Sequence, residues 1–428
     1  MTPVAVASVP RLLAGLSQGQ LGIDEHAELH GEMPALGHRD GPDLIELVAA
    51  SGLRGRGGAA FPTATKMMAV AQSRRDAIVV ANGAEGEPAS AKDRTLLESS
   101  PNLVIDGAQL AAQAVGAREV VICIRRSSTG ACDAVKSALG ARAQRRLLPV
   151  PTRIVPTPST YLAGEENALV NTLNGGPPKP TFVPPRAFER GVGKRPTLVQ
   201  NIETLAHIGL IARHGAAWFR QAGTAEEPGT TLVTLLGAVA RPGVYEIELG
   251  TTLHDVLTAA GGLTHSLRAL LLGGYYGSWL DGALARELVL HEEHLRPLGG
   301  GLGSGVIAAL PDTACAVMET QRVMSYLTLE AAGQCGPCTN GLGALSEAVA
   351  QLARGAPSPT VDDDLARWTT VIPQRGACHL PDGAVRFVTS ALDVFAEEFS
   401  DHRQHGPCVA CAEPSALPIP RRSPRAVP

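Results

Sequence analysis

The stretch that most limits the fold is "DAIVVANG" (76–83), followed by "NLVIDGAQLAAQAVG" (102–116) and "EVVICIR" (119–125). The outer two are apolar runs of strand length and read as buried strands. The segment between them carries apolar residues at helical spacing. A strand–helix–strand order predicts an α/β layer with a parallel sheet, because a parallel pair needs a crossover connection. "PTRIVPT" (151–157) predicts a further strand. "GEENALVNTLNGG" (164–176) and "NIETLAHIGLIARHG" (201–215) predict helices, the first ending at a Gly pair and the second at Gly215.

The character changes at "TLVTLLGAVARPGVYEIELGTTLHDVLTAAGGL" (231–263), where two strand-like runs flank a Pro-Gly turn and a short helix follows. "RALLLGGYYGSWL" (268–280) continues that small module, and "GGGLGSG" (299–305) is a glycine-rich connector. From 314 the pattern is helical. "CAVMETQRVMSYLTLEAAG", "LGALSEAVAQLARG", "VDDDLARWTTVI" and "DGAVRFVTSALDVFAEEFSDH" are four candidate helices, which predict a bundle. The Pro-rich end, "AEPSALPIPRRSPRAVP", predicts an unfolded tail.

Composition removes several function classes. The 428 residues carry 37 Lys+Arg against 41 Asp+Glu, a net charge of −4, which is no basic footprint for nucleic acid. Aromatic residues are 4% of the chain, too few for broad base-stacking platforms. No apolar run is long enough for a membrane span, and the N-terminus lacks the basic region of a signal peptide. A soluble cytoplasmic protein is the expectation. In such a chain, eight cysteines argue for metal or redox work rather than disulfides. Six of them lie in the last third: Cys315, Cys335, Cys338, Cys378, Cys408 and Cys411. Cys123 and Cys132 look structural. On spacing alone, Cys335-x-x-Cys338 fits zinc, a redox dithiol or an iron–sulfur cluster.

Several polar blocks are individually ambiguous. "GLRGRGGAAFPTATK" (52–66) sets glycines ahead of Phe61 and Lys66. Such a loop lets backbone N–H groups approach a phosphate, and it equally serves as a flexible turn before a helix. It is not the dinucleotide fingerprint, and no strand leads into it. "ANGAEGEPASAKDR" (81–94) follows a strand directly, the usual place for ligands in a parallel sheet, and is also what a solvated loop looks like. Glu165 and Glu166 in "YLAGEENAL" suit a helix N-terminus, where carboxylates complement the dipole. "GVGKR" (191–195) fails as a phosphate loop, since Phe188 and Arg195 stand where Gly and Ser/Thr are needed.

In order, however, "GLRGRGGAAFPTATK", "NGAEGEPASAKDR", "GEENALVNTL", "PTLVQNIETLA" and a helical cysteine site resemble the NADH-binding flavoprotein subunit of respiratory complex I. Matching subunits of NAD-linked hydrogenases and formate dehydrogenases belong to the same family. The resemblance covers about residues 43–402. It implies an α/β domain binding FMN and NADH (1–225), a β-grasp, SLBB-like module (226–310), a four-helix bundle with an iron–sulfur site (311–402), and a tail with a CxxC pair (403–428). It further implies an NADH dehydrogenase that passes electrons from NADH through FMN to a [4Fe–4S] cluster. No side-chain acid or base is needed for the hydride step, so no catalytic residue is assigned.

By motif position, the resemblance gives Gly55, Arg56, Gly57, Gly58, Lys66, Asn82, Glu85, Tyr161, Gly164, Glu165, Gln200, Asn201 and Thr204 to FMN. It gives Phe61, Glu87, Glu166, Lys179 and Phe182 to the NADH side, with an aromatic ring stacked on adenine and carboxylates on ribose hydroxyls. Cys335, Cys338 and Cys378 match three cluster ligands, Cys378 lying 40 residues after Cys338. The sequence departs from the family at Ala84, where Asp is usual, and at Ala69, where an aromatic is common. The largest departure is Ala332, where the first cluster cysteine belongs. Four outcomes stay open there: a [4Fe–4S] cluster with a non-protein ligand, a [3Fe–4S] cluster, a substitute from Cys408, Cys411 or His379, or an empty site. "CVAC" (408–411) also fits a separate zinc or redox pair. The resemblance implies a ferredoxin-like, small iron–sulfur or quinone-reductase partner, because no fused extension of that kind is seen. The contrary reading is a non-catalytic paralogue acting as a scaffold.

Overall fold

The computed structural model describes residues 4–5, 10–15, 19–36, 40–73 and 76–420. Residues 421–428 of the expected tail, and parts of the N-terminal stretch, lie outside that set. Ten strands are described: β1 (Val4–Ala5), β2 (Ala77–Gly83), β3 (Ala117–Arg125), β4 (Thr152–Thr157), β5 (Thr197–Asn201), β6 (Thr230–Gly237), β7 (Gly243–Glu248), β8 (Leu267–Leu272), β9 (Ser278–Asp281) and β10 (Val306–Pro311). They form two sheets.

The first sheet has the order β4-β3-β2-β5 and is parallel throughout. The helix Pro101–Ala114 makes the crossover from β2 to β3, and nearly every one of its residues is buried, as its all-round apolarity requires. It packs on the helix Ile202–Phe219. Asp106 ties these layers together. Its carboxylate lies 2.7 Å from His26 Nε2 and 2.6 Å from Arg142, and pairs with Arg213 as well. Burial pushes this carboxyl up, but His26, Arg142 and Arg213 together hold it down to about 2.

The second sheet has the order β1-β7-β6-β10-β8-β9. The Pro-Gly turn joins β6 to β7 as an antiparallel pair, as the sequence predicts. Strand β10 is not among the elements the sequence predicts. It follows the glycine connector at once and pairs parallel with β6 and antiparallel with β8, so it is central to the sheet. Strand β1 also joins this sheet, beside β7, although the domain boundaries expected from the sequence put the chain start with the first sheet. The buried Glu246 secures that N-terminal segment by accepting from the backbone N–H groups of Arg11, Leu12 and Leu13 and from Thr230 Oγ1.

Beyond β10 come Ala316–Glu330, Leu342–Ala353, Val361–Val371, Leu380–Val394 and Ala396–His405. The fourth expected helix is therefore two, broken at Phe395 (φ −112°, ψ 28°) so that Phe395 and Phe399 both turn into the core. The expectation of an unfolded segment from 403 does not hold for residues 403–420. Leu417 is buried against the helices, and Glu319 accepts from Ser415, Ala416 and Leu417.

Candidate functional site

Strands β2 and β5 are register partners and end at the same level, Asn82 beside Asn201. Carboxyl ends of adjacent parallel strands are where open α/β sheets bind ligands. Around them the expected residues close into a ring. The glycine loop comes in through Arg56, whose backbone N–H donates to Thr204 Oγ1 at 2.8 Å. A Cβ on Gly57 would lie 3.2 Å from Asn201 Cβ, a tight contact, so the loop passes close to the strand end here. Asn201 caps the helix Ile202–Phe219 by accepting from Glu203 N at 3.0 Å. Asn82 Nδ2 donates to the Gly164 carbonyl at 2.8 Å. Glu165 caps the helix Glu166–Leu173 through Ala168 N at 2.9 Å, and Glu166 then pairs with Lys66. Lys66 stands on the helix Thr63–Ala71 that the glycine loop enters, which completes the circuit.

The ring is open where a ligand needs it. Gly57, Gly58 and Ala59 are exposed, with Lys66 half-buried close by in sequence. Gln200 is buried and its Nε2 has no partner. A buried amide without a partner costs about 1–3 kcal/mol, so an acceptor from outside the chain is implied. A cleft lined by Gly55, Arg56 and Gly58 extends to Gly303 and Gly305 of the connector before β10. Phe61 and Phe182 are 53% and 74% exposed, unusual for large apolar rings and apt for a planar ligand. A flavin mononucleotide fits this donor set: exposed glycine N–H groups and Lys66 for the phosphate, and the unpartnered Gln200 amide for the ring edge.

The carboxylates of Glu85 and Glu87, expected at the ligand, are also taken up within the protein. Glu85 accepts from Ser90 Oγ, Asp93 N and Arg94 N, which makes it the anchor of the helix Lys92–Ser99. Glu87 is buried and accepts from Tyr275 N at 2.7 Å, Tyr161 Oη at 3.0 Å and Ala89 N at 3.1 Å. It thus ties the β2 loop to the second sheet. Burial pushes the Glu87 carboxyl up to about 7, against the three hydrogen bonds. A carboxyl raised on folding favours the protonated form. Its contribution to stability is therefore full below about pH 4.5 and is lost as pH rises through about 7. We expect the unfolding midpoint of the native chain to fall across that window. Glu87→Gln, followed by denaturant unfolding at several pH values, should flatten that fall.

A second network leads to the cysteines. Glu330, at the end of the helix Ala316–Glu330, accepts from Tyr161 N at 2.8 Å. Lys179 Nζ donates to the Ala332 carbonyl at 2.7 Å. The segment after that helix is thus stitched to both sides of the nucleotide site. Cys335 and Cys338 follow, Cys338 within one π turn, Pro337–Gly341, a geometry common at functional sites. Cys378 sits just before the helix Leu380–Val394. Cys335, Cys338 and Cys378 act on one another electrostatically, and burial pushes Cys338 up and Cys378 up to about 12. Ala332 is buried with no ligand atom to offer. The tail does not supply one, since Cys408 and Cys411 gather with Cys315 and His402 instead. His379 points outward, its side chain 88% exposed. Cys335, Cys338 and Cys378 are thus left as the thiols of this region, with no fourth thiol from Ala332 or the tail.

Sequence reasoning missed Cys315, His402, Glu330 and the buried Lys92, which lies 2.7 Å from Asp93 and 2.8 Å from Glu203 beneath Asn201. Cys315 is signalled only as one of the six C-terminal cysteines and Lys92 only within the polar run 81–94.

Residues 48–210 match the model of the Nuo51 FMN-binding domain, and residues 318–402 match the NADH-ubiquinone oxidoreductase-F iron-sulfur binding region. Residues 232–270 match the SLBB domain. The F subunit of NADH-quinone oxidoreductase in Mycobacterium tuberculosis (strain ATCC 25618 / H37Rv) is 33% identical over 86% of this chain and 86% of its own length. This chain belongs to the family of NADH-quinone oxidoreductase F subunits. The F 2 subunit of the same enzyme in Rhizobium meliloti (strain 1021) is 30% identical over 87% of the chain and 92% of its own length. The HndC subunit of the NADP-reducing hydrogenase in Solidesulfovibrio fructosivorans is 29% identical over 86% of the chain and 77% of its own. A solved NAD+-reducing [NiFe]-hydrogenase in the air-oxidized state superposes with a TM-score of 0.80 at 29% identity. The match takes in 86% of this chain but spans only 64% of that one. The chain therefore has the family's three parts in the expected order: an α/β FMN-binding domain, an SLBB module and an iron–sulfur region. No described helix is long and apolar enough to cross a membrane.

Proposed function

We propose that this chain is the electron-entry subunit of a larger oxidoreductase, taking electrons from NADH. The observation that carries this reading is the ring around Asn82 and Asn201, joined through Tyr161–Glu330 and Lys179–Ala332 to the cysteine loop. Bound FMN supplies the exchange of a two-electron hydride for single electrons. The chain's own residues do the rest. The glycine loop and Lys66 hold the phosphate, Gln200, Asn201 and Asn82 set the orientation at the strand ends, and Phe61 and Phe182 offer faces to the dinucleotide. Cys335, Cys338 and Cys378 hold the cluster, with the place beside Ala332 open to a non-protein ligand or left without iron. The relatives are named as subunits of larger enzymes, which supports a partner that accepts the electrons. A ferredoxin-like or small iron–sulfur protein is the partner class this reading favours. All eight cysteines are unpaired, which suits a reducing compartment, and the reading places the chain in the cytoplasm.

The experiment is NADH-driven reduction of ferricyanide by the pure, FMN-loaded chain. Turnover that depends on FMN supports the reading, and none under loading conditions ends it. Phe61→Ala removes one stacking face, worth about 0.5–1.5 kcal/mol, so KM for NADH should rise roughly two- to thirteenfold. Because Phe61 is half-exposed, kcat and the unfolding midpoint should hold, and steady-state kinetics with a melt will check both.

A further inference from the structure

Four side chains with no part in the nucleotide or cluster site meet where the helix Ala316–Glu330 begins and the helix Ala396–His405 ends. Cys315 caps the helix Ala316–Glu330, accepting from Met318 N at 3.3 Å. His402 lies in the last turn of Ala396–His405 and is 1% exposed. Cys408 precedes the short turn Val409–Ala412 that follows, and Cys411 lies within it. Cys315 Sγ is 3.5 Å from His402 Nε2 and 3.5 Å from Cys411 Sγ. Cys411 Sγ is 3.7 Å from His402 Nε2 and 3.6 Å from Cys408 Sγ. All four ligand atoms lie within 4.8 Å of one another.

Those spacings identify the occupant. A tetrahedral zinc with bonds of ~2.3 Å to sulfur and ~2.05 Å to nitrogen sets S···S at ~3.8 Å and S···N at ~3.6 Å. The observed values sit within a few tenths of an ångström of both. A disulfide needs ~2.05 Å between sulfurs, and no pair here is bonded. A four-iron cluster holds its thiolates on the outer corners of a cube, wider than one ion does. Three thiolates and one imidazole are also a common structural zinc set, with no position left for substrate.

We propose that Cys315, His402, Cys408 and Cys411 form a structural zinc centre, separate from the iron–sulfur site. The ion joins the start of one helix, the end of another and the segment beyond. Binding releases the thiol protons, and the binding energy becomes folding energy for that segment. What it holds down is specific. Arg322 donates to the carbonyls of Cys411 and Glu413, and Glu319 accepts from Ser415, Ala416 and Leu417. Tyr275 Oη donates to the Pro418 carbonyl at 3.0 Å, while its backbone N–H donates to Glu87. The clamped segment thus reaches the seam between the two sheets.

The test uses the full chain, made with zinc chloride in the medium and purified without oxygen, with metals counted by mass spectrometry. One zinc per chain, surviving desalting, is expected alongside the iron. Cys408→Ser and Cys411→Ser should drop zinc to background, leave iron and flavin unchanged, and open the segment after His405 to protease. Cobalt(II) added to zinc-depleted wild-type chain should give the intense thiolate charge-transfer bands of a tetrahedral site, a readout that needs no variant. The proposal is overturned if the wild-type chain holds no zinc and shows no such bands. It is equally overturned if iron fills the site, if a Cys408–Cys411 disulfide is found in the anaerobic protein, or if zinc survives both substitutions.

Discussion

Asp106→Ala is expected to lower the stability of the α/β domain by about 3–5 kcal/mol, the usual cost of removing one partner from a buried ionic cluster. The carboxylate is buried and faces His26, Arg142 and Arg213 at once. Its loss leaves two guanidiniums and an imidazole packed together without a counter-charge. Arg142 also donates to Asn102, and Arg213 to the Gly209 carbonyl, so neither can swing away without breaking further bonds. The same group gives a pH signature. Held down to about 2, it stabilises fully above about pH 4 and loses that contribution as pH falls toward 2. Chemical denaturation followed by circular dichroism at pH 7 and pH 3 should show a large gap between wild type and variant at the first and a smaller one at the second.

Cys378→Ser is expected to abolish cluster binding. The site already lacks the thiolate expected at Ala332, and a second loss would leave only Cys335 and Cys338, too few for a cubane. Iron content should fall to background while flavin content stays. Ferricyanide reduction should persist, and reduction of a one-electron protein acceptor should stop. Ala332→Cys is the opposite change. Its backbone is already fixed by Lys179, so a thiolate there should complete the set and raise iron content toward that of a full [4Fe–4S] cluster. Iron analysis and low-temperature EPR of both variants check the pair. An unchanged spectrum for Ala332→Cys would show that another ligand already fills the corner, or that no cluster binds.

Much of the fold is legible in the sequence because its signals are local. Continuous apolar strands 77–83 and 117–125 around a buried helix leave little choice but a parallel layer, and the Pro-Gly turn between β6 and β7 announces a hairpin. Strand β10 is hidden because "VIAALP" is a short apolar run with no periodicity, and its partners lie far away in sequence. The site is legible as a set of blocks, not as contacts. Glu85 and Glu87 show why: their oxygens are claimed by donors such as Tyr275 N, 188 residues away, which no motif spacing reveals. The zinc-type cluster is invisible for the same reason, since Cys315 and His402 are 87 residues apart. Even so, "CVAC" is a fair half of the signal.

The scaffold reading would need the nucleotide site to have decayed. Instead Lys66–Glu166, the Glu165 cap and the Asn82–Gly164 bond are all in place. The most direct test of the central claim is an anaerobic titration of the FMN-loaded chain with NADH, following flavin absorbance and EPR together. Bleaching of the flavin, with an iron–sulfur signal growing in as NADH is added, is the predicted result. Flavin and iron that stay oxidised with excess NADH would contradict it.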